Sequence, residues 1–213
     1  MMMNTALYGL SFNSGGIMKK LIIIALVLSV TVFSLLSILK DKFFLKEYDP
    51  HDFKPRQEKI YTEATAMKIL ECFDNRDVDS LITMFSESVR SSYDLHSQIK
   101  KAFDIYGEKS VTNDGFEDYG YSNSSSRDGI YVQKSIRGHI KNIKTSNNDV
   151  LTISFIKCVL DDDNPNNLGL KDIYLIDLKY GTLAKIGRVD SQDMNILEDN
   201  NKKRNADKSL GRN

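Results

Sequence analysis

The sequence predicts an α+β domain that follows one transmembrane helix. Three observations favour this fold class: an uncharged apolar run, then segments with apolar residues at helical spacing, then segments rich in β-branched and aromatic residues. Helices followed by strands are typical of folds in which helices pack on one face of an antiparallel sheet. We therefore expect three N-terminal helices packed on an antiparallel sheet, preceded by the membrane helix.

The chain divides into five segments on this interpretation. They are a disordered N-terminal tail, a transmembrane signal-anchor, a juxtamembrane linker, the folded domain and a disordered C-terminal tail. Their bounds are 1–18, 19–40, 41–57, 58–192 and 193–213. The last segment is polar and has no apolar periodicity, so we expect it to remain unfolded.

The apolar run from Leu21 to Leu39 contains no charged residue. As a helix it spans roughly 28 Å, which is close to the hydrocarbon thickness of a bilayer. The run is longer than the apolar core of a signal peptide, about 7–15 residues, and its end lacks a good cleavage pattern. We expect an uncleaved anchor; a cleaved signal and a buried core helix are the alternatives.

The lysines that flank this run do not decide its orientation. Lys19 and Lys20 precede it, and Lys40 and Lys42 follow it, so neither side has a clear excess of positive charge. All the sequence that can fold comes after the run. We therefore expect a single-pass protein of the cell membrane, with its domain on the extracytoplasmic side.

Local signals place the helices and the first turn. Asp77 and Asp94 are predicted N-caps, because a carboxylate accepts the free amides of a first helical turn. Gly107 is predicted to end the third helix, since glycine adopts the left-handed conformation without steric cost. Asp128 and Gly129 are predicted to form a tight turn between two strands, because both tolerate a positive φ.

The strand after this turn alternates between apolar and polar residues, which predicts one buried face and one solvated face. The expected inward residues of this strand are Ile130, Val132, Ile136 and Ile140. The expected outward residues are Tyr131, Gln133, Arg137, His139 and Lys141. In the next strand the expected inward residues are Leu151, Ile153, Phe155 and Val159. Two further strands are expected in "LGLKDIYLIDLK" and "LAKIGRVD".

Two stretches of the domain resemble known families. "CFDNRDVDSLITMFSESV" resembles the second-helix region of the nuclear-transport-factor-like superfamily. "RDGIYVQKSIRGHIKNIKT", followed by "LTISFIKCVLDDDNPNNLGLKDIYLID", resembles domain of unknown function 5104, a family of exported or membrane-anchored bacterial proteins. The resemblance covers roughly Glu58–Asp190 and implies a curved sheet wrapped around helices as a cone. It carries no activity and therefore no catalytic residue.

No catalytic motif was found, but three residues are candidates for acid–base chemistry in a cone cavity: His139, Asp177 and Tyr131. A histidine on a sheet face titrates near neutral pH, and a carboxylate among apolar neighbours has a raised pKa. Each residue is equally explained as an outward or packing residue of a strand. An isomerase or hydrolase is the corresponding alternative function.

Basic residues on the same strand predict an interaction face for an anionic lipid, polymer or protein, with a solvated surface as the alternative. Its members are Lys134, Arg137, His139 and Lys141. The chain as a whole has 29 basic and 29 acidic residues, and this balance argues against nucleic-acid binding.

We expect no cofactor and no metal site. Asp161, Asp162 and Asp163 form an acidic loop, but Pro165 interrupts the pattern of a calcium loop. Cys72 and Cys158 are expected to be two separate buried thiols, with a disulfide as the alternative. The predicted function is a non-enzymatic binding or envelope-assembly role with the membrane and an envelope protein as partners; a small-ligand carrier is a further alternative.

Overall fold

A computed structural model describes residues 49–51 and 55–210 of the chain. The predicted N-terminal tail and signal-anchor lie outside these residues, as does most of the predicted juxtamembrane linker. Within the described ranges, no helix is both long enough and apolar enough to cross a membrane. The described domain is α+β, with helices that precede an antiparallel sheet and one helix that follows it.

The helices are α1 (Pro55–Asn75), α2 (Val78–Met84), α3 (Glu87–Ser92), α4 (Leu95–Tyr106) and α5 (Ser191–Ser209). The strands are β1 (Ser110–Thr112), β2 (Phe116–Arg127), β3 (Ile130–Thr145), β4 (Val150–Asp161), β5 (Gly169–Asp177) and β6 (Gly181–Gly187). A short 3-10 helix, Pro165–Asn167, lies between β4 and β5.

The predicted caps are confirmed. The backbone amide of Ser80 donates to Asp77 Oδ1 at 3.0 Å, and that of Ser97 donates to Asp94 Oδ1 at 3.1 Å. Gly107 ends α4 with a φ of +81°. These carboxylates satisfy amides that a helix leaves without an internal partner.

The second predicted helix is wrong in one respect, because the structure divides it into α2 and α3. Phe85 and Ser86 both have extended backbone, with ψ of 150° and 152°. The amide of Ser86 donates to the carbonyl oxygen of Leu170 on β5 at 3.0 Å. A contact with a strand that is distant in sequence therefore replaces a helical hydrogen bond.

The sheet is antiparallel throughout, in the order β1, β3, β4, β5, β6, and β2 pairs with β3 as well. Asp128 and Gly129 have φ of +52° and +79°, which confirms the tight turn between β2 and β3. Bulges interrupt β3 and β4, where Lys134 pairs with Leu160 but Ser135 pairs with Cys158. Such bulges bend strands and increase their twist.

The predicted alternation is confirmed only in part. Ile136 and Ile140 are buried, and so is Lys134, which has the same parity along β3, but Ile130, next to the turn, is 58% exposed. On β4, the predicted inward residues Leu151, Ile153 and Phe155 are buried. The fourth, Val159, is only partly buried, while its neighbours Cys158 and Leu160 are buried.

The core lies between the helices and one face of the sheet. Its centre includes Phe73 of α1, whose ring meets those of Phe103 and Tyr106 edge-to-face, with centroids 5.0 and 5.2 Å apart. Asp74 receives hydrogen bonds from the Tyr106 hydroxyl and the Ser110 amide, each at 2.8 Å. This face of the sheet is therefore covered by the core helices.

The predicted disordered C-terminal tail is also wrong, because most of it forms α5. Asp190 and Asp193 make a capping box, in which each carboxylate accepts the other residue's backbone amide. Glu198 and Lys202 form an ion pair one turn apart, at 2.9 Å. Local polar interactions hold this helix, and a search for apolar periodicity does not detect them.

Candidate functional site

The face of the sheet that points away from the core helices carries polar and aromatic side chains. Arg137 lies opposite Ile156, and His139 lies opposite Ser154, which in turn lies opposite Tyr174. These residues alternate along their strands with core residues. We call this surface, defined by Arg137, His139, Ser154, Ile156 and Tyr174, the outer face.

The basic side chains on and next to the outer face differ in whether an acidic residue neutralises them. Lys141, next to it, forms an ion pair with Glu117 of β2. Lys185 of β6 extends the row of Tyr174 and pairs with Asp193 at 2.6 Å. Arg137 is exposed and has no ion-pair partner within the part of the chain that the structure describes. The outer face therefore presents a positive charge beside aromatic and apolar groups.

His139 is half-buried in this surface. Burial lowers the pKa of its imidazole, and the positive charge of Arg137 lowers it further, while Glu117 acts in the opposite direction. A lowered pKa keeps the ring neutral at neutral pH. A neutral imidazole has one nitrogen that donates a hydrogen bond and one that accepts a hydrogen bond.

The lowered pKa of His139 predicts a loss of stability in acid. The unfolded histidine, with a pKa near 6.5, takes up a proton at a pH where the folded one does not. The contribution of neutral His139 to stability is therefore complete at pH values above the unfolded pKa. It is lost as the pH falls from the unfolded pKa towards the lower pKa of the folded state. We expect His139→Gln to flatten the dependence of the free energy of unfolding on pH between about 7 and about 5.

Urea unfolding at several pH values measures this effect. His96→Gln is the matched control, because His96 is exposed at the surface of α4. An unchanged pH dependence in His139→Gln would mean that other groups cause the acid sensitivity.

The structure does not bring the three catalytic candidates together. Asp177 is three residues from Tyr174 along β5, roughly 10 Å, and β5 is two strand spacings, about 10 Å, from His139 on β3. Tyr131 pairs with Ser126 beside the turn between β2 and β3, far along the strand from His139. The three side chains therefore do not form one site.

The contacts of Asp177 are those of a residue that stabilises a turn and the docking of a helix. Its Oδ1 accepts the amides of Lys179 and Tyr180, at 2.8 and 3.3 Å, in the turn between β5 and β6. Its Oδ2 lies 3.8 Å from the guanidinium Nε of Arg204 on α5. These contacts explain the carboxylate by turn formation and helix docking.

Lys134 does not belong to the outer face, contrary to the prediction. Its ammonium donates to Glu58 Oε1 of α1, and both side chains are buried on the helix side of the sheet. Lys134 lies two and six residues before Ile136 and Ile140, so simple alternation along β3 places all three on the helix side. Of the residues predicted to form an interaction face, Arg137, His139 and Lys141 lie on the other side of the sheet from Lys134.

Sequence reasoning missed Glu58 as a functional or structural residue. It precedes Thr62 by one turn of α1, and Thr62, Thr65 and Ile69 continue the same buried stripe. The four-residue spacing was therefore a usable signal. Nearby, the ammonium of Lys157 lies 4.4 Å from the centre of the Tyr61 ring.

The cysteines and the acidic loop show no ligand-binding arrangement. Cys72 and Cys158 are free and buried, as predicted, and burial raises the pKa of Cys72 to about 11. Asp161 accepts from Asn164 N at 3.0 Å and Asn167 Nδ2 at 2.9 Å, so it organises its own loop. Over the described ranges, no cluster of three or more histidine, cysteine, aspartate or glutamate residues is placed to hold a metal ion.

Comparison with known proteins gives one family. No curated protein matches the chain. The family model described as a domain of unknown function (DUF5104) matches residues 68–178, from the middle of α1 to the residue after β5. The matched region is just over half of the chain, and it contains every residue that defines the outer face. The chain therefore belongs to the family of domain of unknown function 5104.

Proposed function

We propose that this protein is a binding or envelope-assembly module on the extracytoplasmic side of the cell membrane. In this proposal the apolar run Leu21–Leu39 is the anchor, and the outer face is the binding surface. The observation that carries the proposal is the exposed Arg137, which lies opposite Ile156 and on the same face as His139 and Tyr174, away from the core helices. Arginine and tyrosine are enriched at the energetic centres of protein interfaces.

We also propose that the domain is a nuclear-transport-factor-like cone. Helices α1 to α4 come first in the chain and pack on one face of an antiparallel sheet, which supports this fold. The bulges in β3 and β4 support a curved sheet, because they bend the strands around the helices. The inner side of the cone is then occupied by the core, and the outer face is the surface open to a partner.

A non-enzymatic role fits the positions of the polar side chains. General acid–base catalysis requires a base and a proton carrier within hydrogen-bond reach of one substrate. His139, Asp177 and Tyr131 are too far apart to act together. The outer face instead offers a guanidinium and an aromatic ring, which suits an acidic protein surface as partner.

The anchor and the side of the membrane are tested together by protease treatment of intact cells. We expect the domain to be cleaved in intact cells and to remain in the membrane fraction until it is cleaved. A cytosolic protein serves as the control for cell integrity. Protection in intact cells followed by cleavage after lysis would contradict the proposed orientation, and recovery of the intact domain in the medium would contradict the anchor.

A further inference from the structure

The C-terminal helix α5 rests on strand β6 mainly through polar contacts. Leu197 and Arg204 are its buried residues, while Met194 and Ile196 are 50% and 48% exposed. A helix that docks without a continuous apolar stripe gains little from the hydrophobic effect. Its attachment therefore depends on hydrogen bonds and ion pairs.

Two asparagine side chains take the place of a neighbouring strand. Asn200 Nδ2 donates to the carbonyl oxygen of Thr182 at 2.9 Å, and Asn201 Nδ2 donates to that of Leu183 at 2.7 Å. Strand β6 is an edge of the described sheet, so α5 lies where a further strand would pair. The helix thus covers an edge that would otherwise be open to pairing.

Ion pairs fix the far end of the helix. The guanidinium Nη2 of Arg204 lies 2.9 Å from Asp149 Oδ2, and Lys208 Nζ lies 2.8 Å from the same oxygen. Asp177 contributes a second carboxylate to Arg204 at 3.8 Å. Nε and Nη2 of Arg204 are buried without a well-aligned hydrogen bond, which weakens the docked state.

Part of the support for the helical conformation of α5 is internal to the helix. The capping box of Asp190 and Asp193 closes its first turn, and the pairs Glu198–Lys202 and Asp199–Lys203 lie along its exposed side. These interactions do not depend on the contacts of α5 with β6.

We propose that the groove formed by β6, Asp149 and Asp177, here called the β6 groove, takes α5 from a second copy of this chain. The side chains that enter the groove, Asn200, Arg204 and Lys208, recur every four residues and so lie on one face of α5. A second copy carries the identical face. Once the chain's own helix leaves, two carboxylates lose their cation, and the same helix of another copy restores it.

The short connection between β6 and α5 favours exchange between copies. Gly187 ends β6 with a φ of +113°, and Arg188 is held by Asp172, whose Oδ1 accepts the Arg188 amide at 3.0 Å. Val189 and the capping residue Asp190 are therefore the residues whose backbone angles would change if α5 moved away from β6. Short hinges of this kind promote the exchange of a terminal element between identical chains. This inference concerns a different surface from the outer face and is independent of the proposed function.

A pair of charge-reversal variants of the full chain, in detergent, tests the proposal. In the Arg204→Glu variant the new carboxylate on α5 is repelled by Asp149 of its own groove, and in the Asp149→Arg variant the new guanidinium is repelled by Arg204. In the mixture, the groove of each variant can bind α5 of the other variant with opposite charges paired. We expect at least about ten-fold more heterodimer in the mixture than homodimer of either variant alone, measured by native mass spectrometry with distinguishable masses.

Three controls make the result decisive. The single-chain double variant Asp149→Arg/Arg204→Glu is expected to return to the wild-type monomer–dimer balance, because its own pair is restored. Lys68→Glu reverses an exposed charge on α1, outside both the groove and α5, and is expected to change nothing. If the single variants lose their fold by circular dichroism, deletion of Val189 replaces them, because a shorter hinge strains the return of α5 to its own groove and is expected to raise the dimer fraction. A mixture of folded variants that stays monomeric would overturn the proposal.

Discussion

Lys134→Met is expected to lower the free energy of unfolding by about 3–5 kcal/mol, because it leaves the buried Glu58 carboxylate without its cation. Both side chains are buried between α1 and β3, and the Lys134 ammonium donates to Glu58 Oε1. Removal of one partner exposes the full cost of a buried charge. Urea unfolding of the described domain at neutral pH measures the loss.

The double variant Glu58→Leu/Lys134→Met separates charge from packing. We expect it to recover most of the lost stability, since two apolar side chains of similar size remove both desolvation penalties. Lys141→Met is the matched surface control, because Lys141 pairs with Glu117 in solvent and is expected to lose no more than about 1 kcal/mol. A double variant as unstable as Lys134→Met would show that lost packing, and not an unpaired charge, causes the effect.

Gly187→Ala is expected to destabilise the domain by about 2–5 kcal/mol. An alanine there adopts a left-handed φ at a cost of about 1–2 kcal/mol, and overpacking adds about 1–3 kcal/mol. Its Cβ atom would lie 2.2 Å from the carbonyl oxygen of Lys171, which is backbone and cannot rotate away. Thermal or urea unfolding gives the difference from the wild type.

Gly129→Ala is the control for backbone conformation alone. Gly129 also has a positive φ, +79°, but a Cβ atom at this position meets nothing within 4 Å. We expect a loss of only about 1–2 kcal/mol. Equal losses in the two variants would mean that β6 moves away from β5 without cost, and that the close approach at Gly187 is not a constraint.

The features that the sequence predicted correctly depend on neighbouring residues. Asp77 and Asp94 cap helices through amides three residues later, and the turn at Asp128 and Gly129 requires only two positive φ values. Interactions of this kind are complete within a few residues. For this reason they can be recognised in a single sequence.

The features that the sequence did not predict depend on distant residues. The break at Phe85 and Ser86 follows from a hydrogen bond to β5, and the buried Lys134 has its partner, Glu58, on the distant helix α1. Helix α5 docks through Arg204 rather than through an apolar stripe. The pairing of two residues that are far apart in sequence leaves no local periodic signal.

In the candidate site, too, the features that depend on one strand could be predicted, and those that depend on several strands could not. Alternation along one strand places Arg137, His139 and Lys141 on one face, because successive side chains of a strand point to opposite sides. The separation of Asp177 from His139 depends on the register of three strands. Register between strands that are distant in sequence is set by the whole sheet, so it was not accessible from sequence alone.

Site-specific photo-crosslinking in living cells tests most directly whether the outer face binds a partner. A photoreactive residue at Ile156, which lies opposite Arg137, reports on the outer face, and one at Met67, which is 53% exposed on α1, reports on the helical side. We predict a discrete crosslinked species from position 156 that is absent from position 67 and is lost when Arg137 is also changed to Glu. Crosslinks of equal yield from both positions, or from position 67 alone, would contradict binding through the outer face.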